Sequence, residues 1–253
     1  MLGARRVLVI AASDSSGGAG LTRDVATLAE LGVETRCAVT AVTVQTDREV
    51  RAIYSIAPEL VTGQIRAALA AGDIGAIKIG MLGRRETVQA VIEALPARDA
   101  IPIVLDPVLA ASSGGSLLDS EGQSTLRGEL LPRVTLVTPN IPEAAALLQR
   151  PMDPTAEVPL KLLEEQARAL LQLGPRAVLL KGGHAHGAQV IDILALGDGR
   201  LLHLTAPRIA RQRRGTGCSL ASAIAAHLAA GRPLGQACSD AQAHVGQILQ
   251  RDA

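Results

Sequence analysis

Val7-Leu8-Val9-Ile10-Ala11-Ala12-Ser13-Asp14-Ser15-Ser16-Gly17-Gly18-Ala19-Gly20 sets the pattern from which the fold is read. The apolar run Val7 to Ala12 predicts a buried strand, the glycine cluster a turn, and Ala19 to Leu31 the helix that follows. The same alternation continues along the chain. Strands are predicted at Thr35 to Val44, Val50 to Ser55, Ala76 to Ile79, Ile103 to Leu105, Thr135 to Val137 and Ala177 to Leu180. Helices are predicted at Pro58 to Ala71, Arg84 to Leu95, Ile141 to Gln149 and Leu160 to Leu173. Near-continuous apolar strands separated by helices call for a mostly parallel sheet covered on both faces, an α/β fold. After Gly182 the pattern changes: Val190 to Leu196 and Leu201 to Thr205 flank Gly197-Asp198-Gly199-Arg200 as a hairpin. Two alanine-rich helices, Ser219 to Ala230 and Leu234 to Leu249, follow. With no internal repeat and no long linker, residues 1–253 read as one domain.

Composition narrows the function. The 25 basic residues balance 24 acidic ones, a net charge of +1, which argues against a nucleic-acid binder. A single tyrosine with no Phe or Trp leaves a ligand ring to aliphatic and backbone surfaces and removes the stacking platforms of single-strand binders. No segment approaches the roughly 18 apolar residues of a membrane helix. The start has no signal-peptide anatomy, and the three scattered cysteines fit a reducing compartment, so a cytoplasmic protein without a membrane partner is expected. An exposed face on an alanine-rich helix would suit a homodimer.

Five motifs stand at strand ends or helix starts, where open α/β sheets bind ligands. The turn Asp14 to Gly20 lets backbone approach a ligand, although its spacing fits neither the dinucleotide fingerprint nor a P-loop. Leu105-Asp106-Pro107-Val108 places a carboxylate at a buried strand's end, where it is either a ligand or a turn cap. Thr138-Pro139-Asn140-Ile141-Pro142-Glu143 puts Glu143 in a helix's first turn, to complement the dipole or, with Asp106, to hold magnesium through water. Lys181-Gly182-Gly183-His184 offers a lysine to a polyphosphate; His184 and His186 read as loop residues. Gly215-Thr216-Gly217-Cys218 opens a helix with amides that can form an anion hole, and the dipole there is expected to lower the pKa of Cys218. Each motif alone also reads as a tight turn. Together they imply a phosphate-rich crevice and a nucleotide-using phosphotransferase.

In combination these segments, with Thr40-Ala41-Val42-Thr43-Val44-Gln45-Thr46 and Ile77-Lys78-Ile79-Gly80-Met81-Leu82, resemble the ribokinase-like superfamily. Within it the chain looks most like the hydroxymethylpyrimidine/phosphomethylpyrimidine kinases, over about Val7 to Leu249. The resemblance implies a three-layer sandwich and stepwise phosphorylation of 4-amino-5-hydroxymethyl-2-methylpyrimidine by MgATP in thiamine biosynthesis. It implies that Asp24 and Gln45 bond the pyrimidine edge, with Val44 and Met81 packing nearby. Asp106 and Glu143 would organise Mg2+. Lys181, Asn140 and Thr216 would contact ATP, and the Gly215 and Gly217 amides would stabilise the transferring phosphoryl group; Arg214, read from its own chemistry, either adds bidentate contacts to the ATP phosphates or is a solvated surface residue. Cys218 would act as base. The chain departs from the family's pattern at Ala12, at Ser112 and Gly115 of the Ala110 to Ser116 lid, and at Arg213-Arg214. A pyridoxal kinase and a pyrimidine-binding regulatory homologue are the alternatives.

Overall fold

The computed structural model describes residues 6–111, 115–151, 158–182, 189–210 and 213–251. In chain order the elements are β1 (Arg6–Asp14), α1 (Gly20–Glu30), β2 (Thr35–Gln45), β3 (Val50–Ser55), α2 (Pro58–Ala70), β4 (Ile74–Ile79), α3 (Arg85–Ala94) and β5 (Ile103–Leu105). There follow α4 (Ser120–Thr125), β6 (Leu136–Val137), α5 (Ile141–Leu147), α6 (Leu160–Leu171), β7 (Ala177–Leu180), β8 (Gln189–Leu196), β9 (Leu201–Pro207), α7 (Thr216–Ala229) and α8 (Leu234–Arg251).

The strands form one nine-stranded sheet in the order β3-β2-β1-β4-β5-β6-β7-β8-β9. Neighbours from β2 through β7 run parallel, while β3, β8 and β9 pair antiparallel at the two edges. Period-two alternation divides the core into two sides. Leu8, Ile10, Ile77, Ile79 and Leu105 face a layer built from α2, α3, α5 and α6. Val7, Val9, Ala76, Val104 and Leu179 face α1, α7 and α8. This is the ribokinase-like three-layer arrangement. Strand order reverses beside β1, so the ends of β1, β4, β5, β6 and β7 open into one crevice.

Two expectations change. The helix at 120–125 was not predicted, because Ser120-Glu121-Gly122-Gln123-Ser124-Thr125 has no apolar period; the Asp119 side chain caps it by accepting from the Gly122 amide at 2.6 Å. It continues through a π-turn and a 3₁₀ turn to Arg133. The alanine-rich α7 presents no exposed face for a second subunit. Its residues from Ser219 to His227 are all buried between α1, α8 and the sheet, because small side chains let helices approach closely.

Candidate active site

The crevice is built first from β5 and β7. Asp106 directly follows β5, its amide donating to Ile79 O at 2.9 Å, and it is only 3% exposed. Lys181 directly follows β7 and is held there by its amide bond to Pro139 O at 2.9 Å. Its Nζ donates to Asp106 Oδ1 at 3.1 Å and lies 3.9 Å from Glu143 Oε2. Glu143 is positioned by a capping box at the start of α5: its backbone amide donates to Asn140 Oδ1 and its Oε2 accepts from the Asn140 amide, both at 2.8 Å. Burial pushes the Glu143 carboxyl up to about 7, with Lys181 pulling it down and Asp106 pushing it further up. The two carboxylates hold Lys181 above its ordinary value despite its burial, so it stays a cation.

The second half of the crevice is made by two glycine turns in contact. Gly215 caps α7 in the left-handed region at φ +77°, and a Cβ there would strike the carbonyl oxygen of Gly18. The Asp14 loop is itself tied down, its Oδ1 accepting from the Ser16 amide and hydroxyl at 2.8 Å and its Oδ2 from the Ala19 amide at 2.9 Å. A Cβ on Gly217 would stand 3.2 Å from Lys181 Nζ and 3.8 Å from Asp106 Oδ2. One point in space therefore brings together a helix N-terminus, a cation and a carboxylate.

The environment of Cys218 reverses the expectation that the dipole lowers its pKa. Burial pushes the thiol up to about 12; Lys78 and the Gly20 amide pull it down, and Asp24 and Asp106 add to the rise. Desolvation in an apolar helix interface outweighs the helix terminus.

Beside the ends of β1, β2 and β4, Met81 packs with Ala12, Ala41 and Leu117 in a small cluster separate from the main core. Gln45 ends β2, where Ser15 Oγ donates to its carbonyl and accepts from its amide, both at 2.9 Å, and its Oε1 accepts from Thr43 Oγ1 at 3.3 Å. One expected pyrimidine contact is corrected. Asp24 is fully buried, with Oδ2 bonded to Lys78 Nζ at 2.7 Å and Oδ1 to Ser222 Oγ at 2.8 Å, so it presents no exposed oxygen to a ring edge. Val44 is 48% exposed.

Arg214 also differs from its expected place at the ATP phosphates. Its guanidinium donates to Ser16 Oγ and Thr46 O at 3.0 Å, Asp14 Oδ2 at 3.1 Å and Asp47 Oδ1 at 3.2 Å, spanning the loops after β1 and β2. Asn140 has its Oδ1 committed to the helix cap, and Thr216 is the half-buried first residue of α7. Of the lid, Ala110 and Ser116 form a bridge, and the Ala111 amide donates to Gly115 O at 3.0 Å. Ser112, Gly183, His184, His186 and Arg211 lie outside the described residues.

Lys78 and Ser222 were missed as candidates. A lone lysine inside Ile77-Lys78-Ile79 was the available signal, since a buried strand holds a charge only when something pairs with it.

Asp106 Oδ2 and Glu143 Oε1 have no protein partner among the described residues. One free oxygen on each carboxylate fits magnesium, which keeps most of its waters and takes one or two carboxylates. No group of three or more His, Cys, Asp or Glu placed to hold a metal occurs among the described residues, which does not suit a dedicated all-protein cage. No helix among them is long and apolar enough to cross a membrane.

Known proteins resemble this chain in sequence and fold. The phosphomethylpyrimidine kinase family profile matches residues 14–253. A hydroxymethylpyrimidine/phosphomethylpyrimidine kinase of Rhizobium meliloti is 42% identical over 94% of this chain and 88% of its own. Among solved structures, a phosphomethylpyrimidine kinase of Clostridium difficile 630 superposes with a TM-score of 0.82 at 31% identity, covering 97% of this chain and 99% of that one. A Staphylococcus aureus pyridoxal kinase in complex with pyridoxal superposes at 0.86 and 29% identity, covering 98% of this chain and 88% of that one.

Proposed function

Because the chain belongs to the phosphomethylpyrimidine kinase family, we propose that its crevice transfers a phosphoryl group between the Gly215–Gly217 turn and the Lys181–Asp106 pair. The activity is that of a hydroxymethylpyrimidine/phosphomethylpyrimidine kinase of thiamine biosynthesis, with ATP as donor. The observation that carries the site is the approach of Gly217 to Lys181 Nζ and Asp106. Phosphoryl transfer needs little covalent help from the protein and depends on positioning and charge.

Lys181 binds ATP phosphate oxygens, and the amides of Gly215 to Gly217 face the charge that spreads over the transferring group. Thr216 and the side-chain Nδ2 group of Asn140 border the same phosphates. Asp106 and Glu143 hold Mg2+ through water, and the ion neutralises phosphate charge when bound. Gln45 and Met81 border the pyrimidine, and Cys218 takes the proton of the acceptor hydroxyl. Incubation with 4-amino-5-hydroxymethyl-2-methylpyrimidine and MgATP is expected to yield the monophosphate and then the diphosphate by mass spectrometry. Pyridoxal in place of the pyrimidine tests the reading favoured by the Staphylococcus aureus likeness; exclusive formation of pyridoxal phosphate would overturn the pyrimidine assignment.

A homodimer is the assembly we propose, through the outer face of the β2–β3 pair and not through α7. Val42 pairs with Tyr54 across those strands, and Val42, Val44 and Tyr54 are 45%, 48% and 67% exposed. Sedimentation of the wild type as two chains and of Tyr54→Arg as one is expected; a single-chain wild type at micromolar concentration removes the dimer.

A further inference from the structure

No contact with substrate or nucleotide is assigned to Lys78, yet it is fully buried in the middle of β4. Its neighbours Ile77 and Ile79 face the α2–α3 side, so Lys78 points at the layer of α1 and α7. A lysine without a partner in that place costs several kcal/mol, and a pair of apolar residues would serve a core at least as well. Its retention asks for a reason other than stability.

Its contacts supply one. Lys78 Nζ donates to Asp24 Oδ2 at 2.7 Å, and Asp24 Oδ1 accepts from Ser222 Oγ at 2.8 Å. The lysine head reaches the strand's carboxyl end: a Cβ on Gly80 would stand 2.8 Å from Nζ and 3.2 Å from Ala11 Cβ. Asp24 lies four residues after Gly20 on α1, and Ser222 lies four after Cys218 on α7, so each pair shares one helix face. Thr27 Oγ1 donates to Ser219 Oγ at 3.1 Å beside the ion pair. A polar line therefore runs through the otherwise apolar α1–α7 contact, and Lys78 ties it to the sheet by an ion pair. These two helices begin at the two glycine turns, which touch at Gly18 and Gly215. A shift of either helix moves the Gly215–Gly217 amides relative to Asp106 and Lys181, which belong to the sheet.

Resting on the kinase reading, we propose that Lys78 is a positioning residue for phosphoryl transfer: through Asp24 and Ser222 it sets the spacing of α1 and α7, and with it the aim of the Gly215–Gly217 amides at the transferring group. Misplacement of catalytic groups by about 1 Å can cost on the order of 100-fold in rate, so a partial shift is expected to register in kcat while ATP binding at Lys181 is left intact.

The test compares wild type, Lys78→Met, and Lys78→Met combined with Asp24→Asn, which leaves no buried charge and keeps an acceptor for Ser222. Lys78→Met is expected to lower kcat for the pyrimidine by about 10- to 30-fold with KM for ATP within about twofold. The double variant is expected to regain the melting temperature but not kcat. If kcat returns together with the melting temperature, the pair is core packing only and the proposal fails. A second readout needs no turnover: the alkylation rate of Cys218 by iodoacetamide in the ligand-free protein, followed by peptide mass spectrometry. It is expected to change at least about threefold in the double variant, where the losses of Lys78 and of Asp24 act on the thiol in opposite senses, as the start of α7 shifts; a wild-type rate there overturns the positioning role. A wild type that phosphorylates no pyrimidine would refute the kinase reading alone, since the alkylation comparison still decides the role of Lys78.

Discussion

Lys181→Met is expected to lower kcat/KM for ATP by on the order of 10²- to 10³-fold, the scale of losing one preorganised charge contact to a reacting group. The lysine stands where three features converge: Asp106 Oδ1 at 3.1 Å, Glu143 Oε2 at 3.9 Å, and the Gly217 position on the opposite side. Methionine matches its length and lacks its charge. Two buried carboxylates would then face each other without a cation between them. Glu143, already pushed up to about 7, would lose the interaction that pulls it down and be held protonated more firmly. The loss should therefore combine weaker ATP binding with a slower transfer step. Arginine is not expected to rescue. A guanidinium is larger, planar and differently aimed, so it would intrude into the gap between Lys181 and the Gly217 backbone in which the phosphoryl group is proposed to sit. Steady-state kinetics with varied ATP checks this. A Lys181→Met variant within about threefold of wild type would remove Lys181 from the phosphate site.

The layered fold was legible because apolar runs such as Val7 to Ile10 and Val104-Leu105 admit little besides a buried strand, and glycine turns punctuate them. Helix Ser120–Thr125 was not, since its local residues favour turns; it forms where the preceding Leu118 bridges Gly83 and the helix packs on α3. Within the site, strand-end position was readable, and Asp106, Glu143 and Lys181 do converge. What a linear sequence hides is which side chains already have partners. Asp24 looked free in Gly20-Leu21-Thr22-Arg23-Asp24, but its partners are 54 and 198 residues away. Arg214 adjoins the anion-hole turn in sequence and yet folds back onto Asp14 and Asp47. The pKa of Cys218 was misjudged for the same reason. A helix N-terminus is visible in sequence, whereas desolvation depends on what covers the thiol.

Cys218→Ala is expected to slow phosphorylation of the pyrimidine alcohol by about 10²- to 10⁴-fold, the range for loss of a general base, and phosphorylation of the monophosphate by less than about tenfold. The difference follows from the acceptors. An alcohol must shed a proton as it attacks, while a phosphate monoester is already anionic near neutral pH. The raised pKa sharpens the expectation and fixes its sign. The base is the thiolate, so activity that depends on it grows as pH rises toward the thiol's pKa. With the thiol pushed up to about 12 from its ordinary 9.0, the thiolate stays a small minority across the accessible range. The first phosphorylation, measured at subsaturating concentrations of both substrates so that the free enzyme's groups are reported, should climb about tenfold per pH unit between roughly pH 6 and pH 9 without a plateau. The second step should show no such climb, and the slope should vanish in Cys218→Ala. Burial thus has a chemical consequence opposite to simple activation: fewer molecules carry the thiolate, but each thiolate is a stronger base in a site where Lys78 and the Gly20 amide already favour its charge. A first-step profile that is flat with pH, or equal losses in both steps, would take the proton away from Cys218 and leave it a packing contact between α1 and α7.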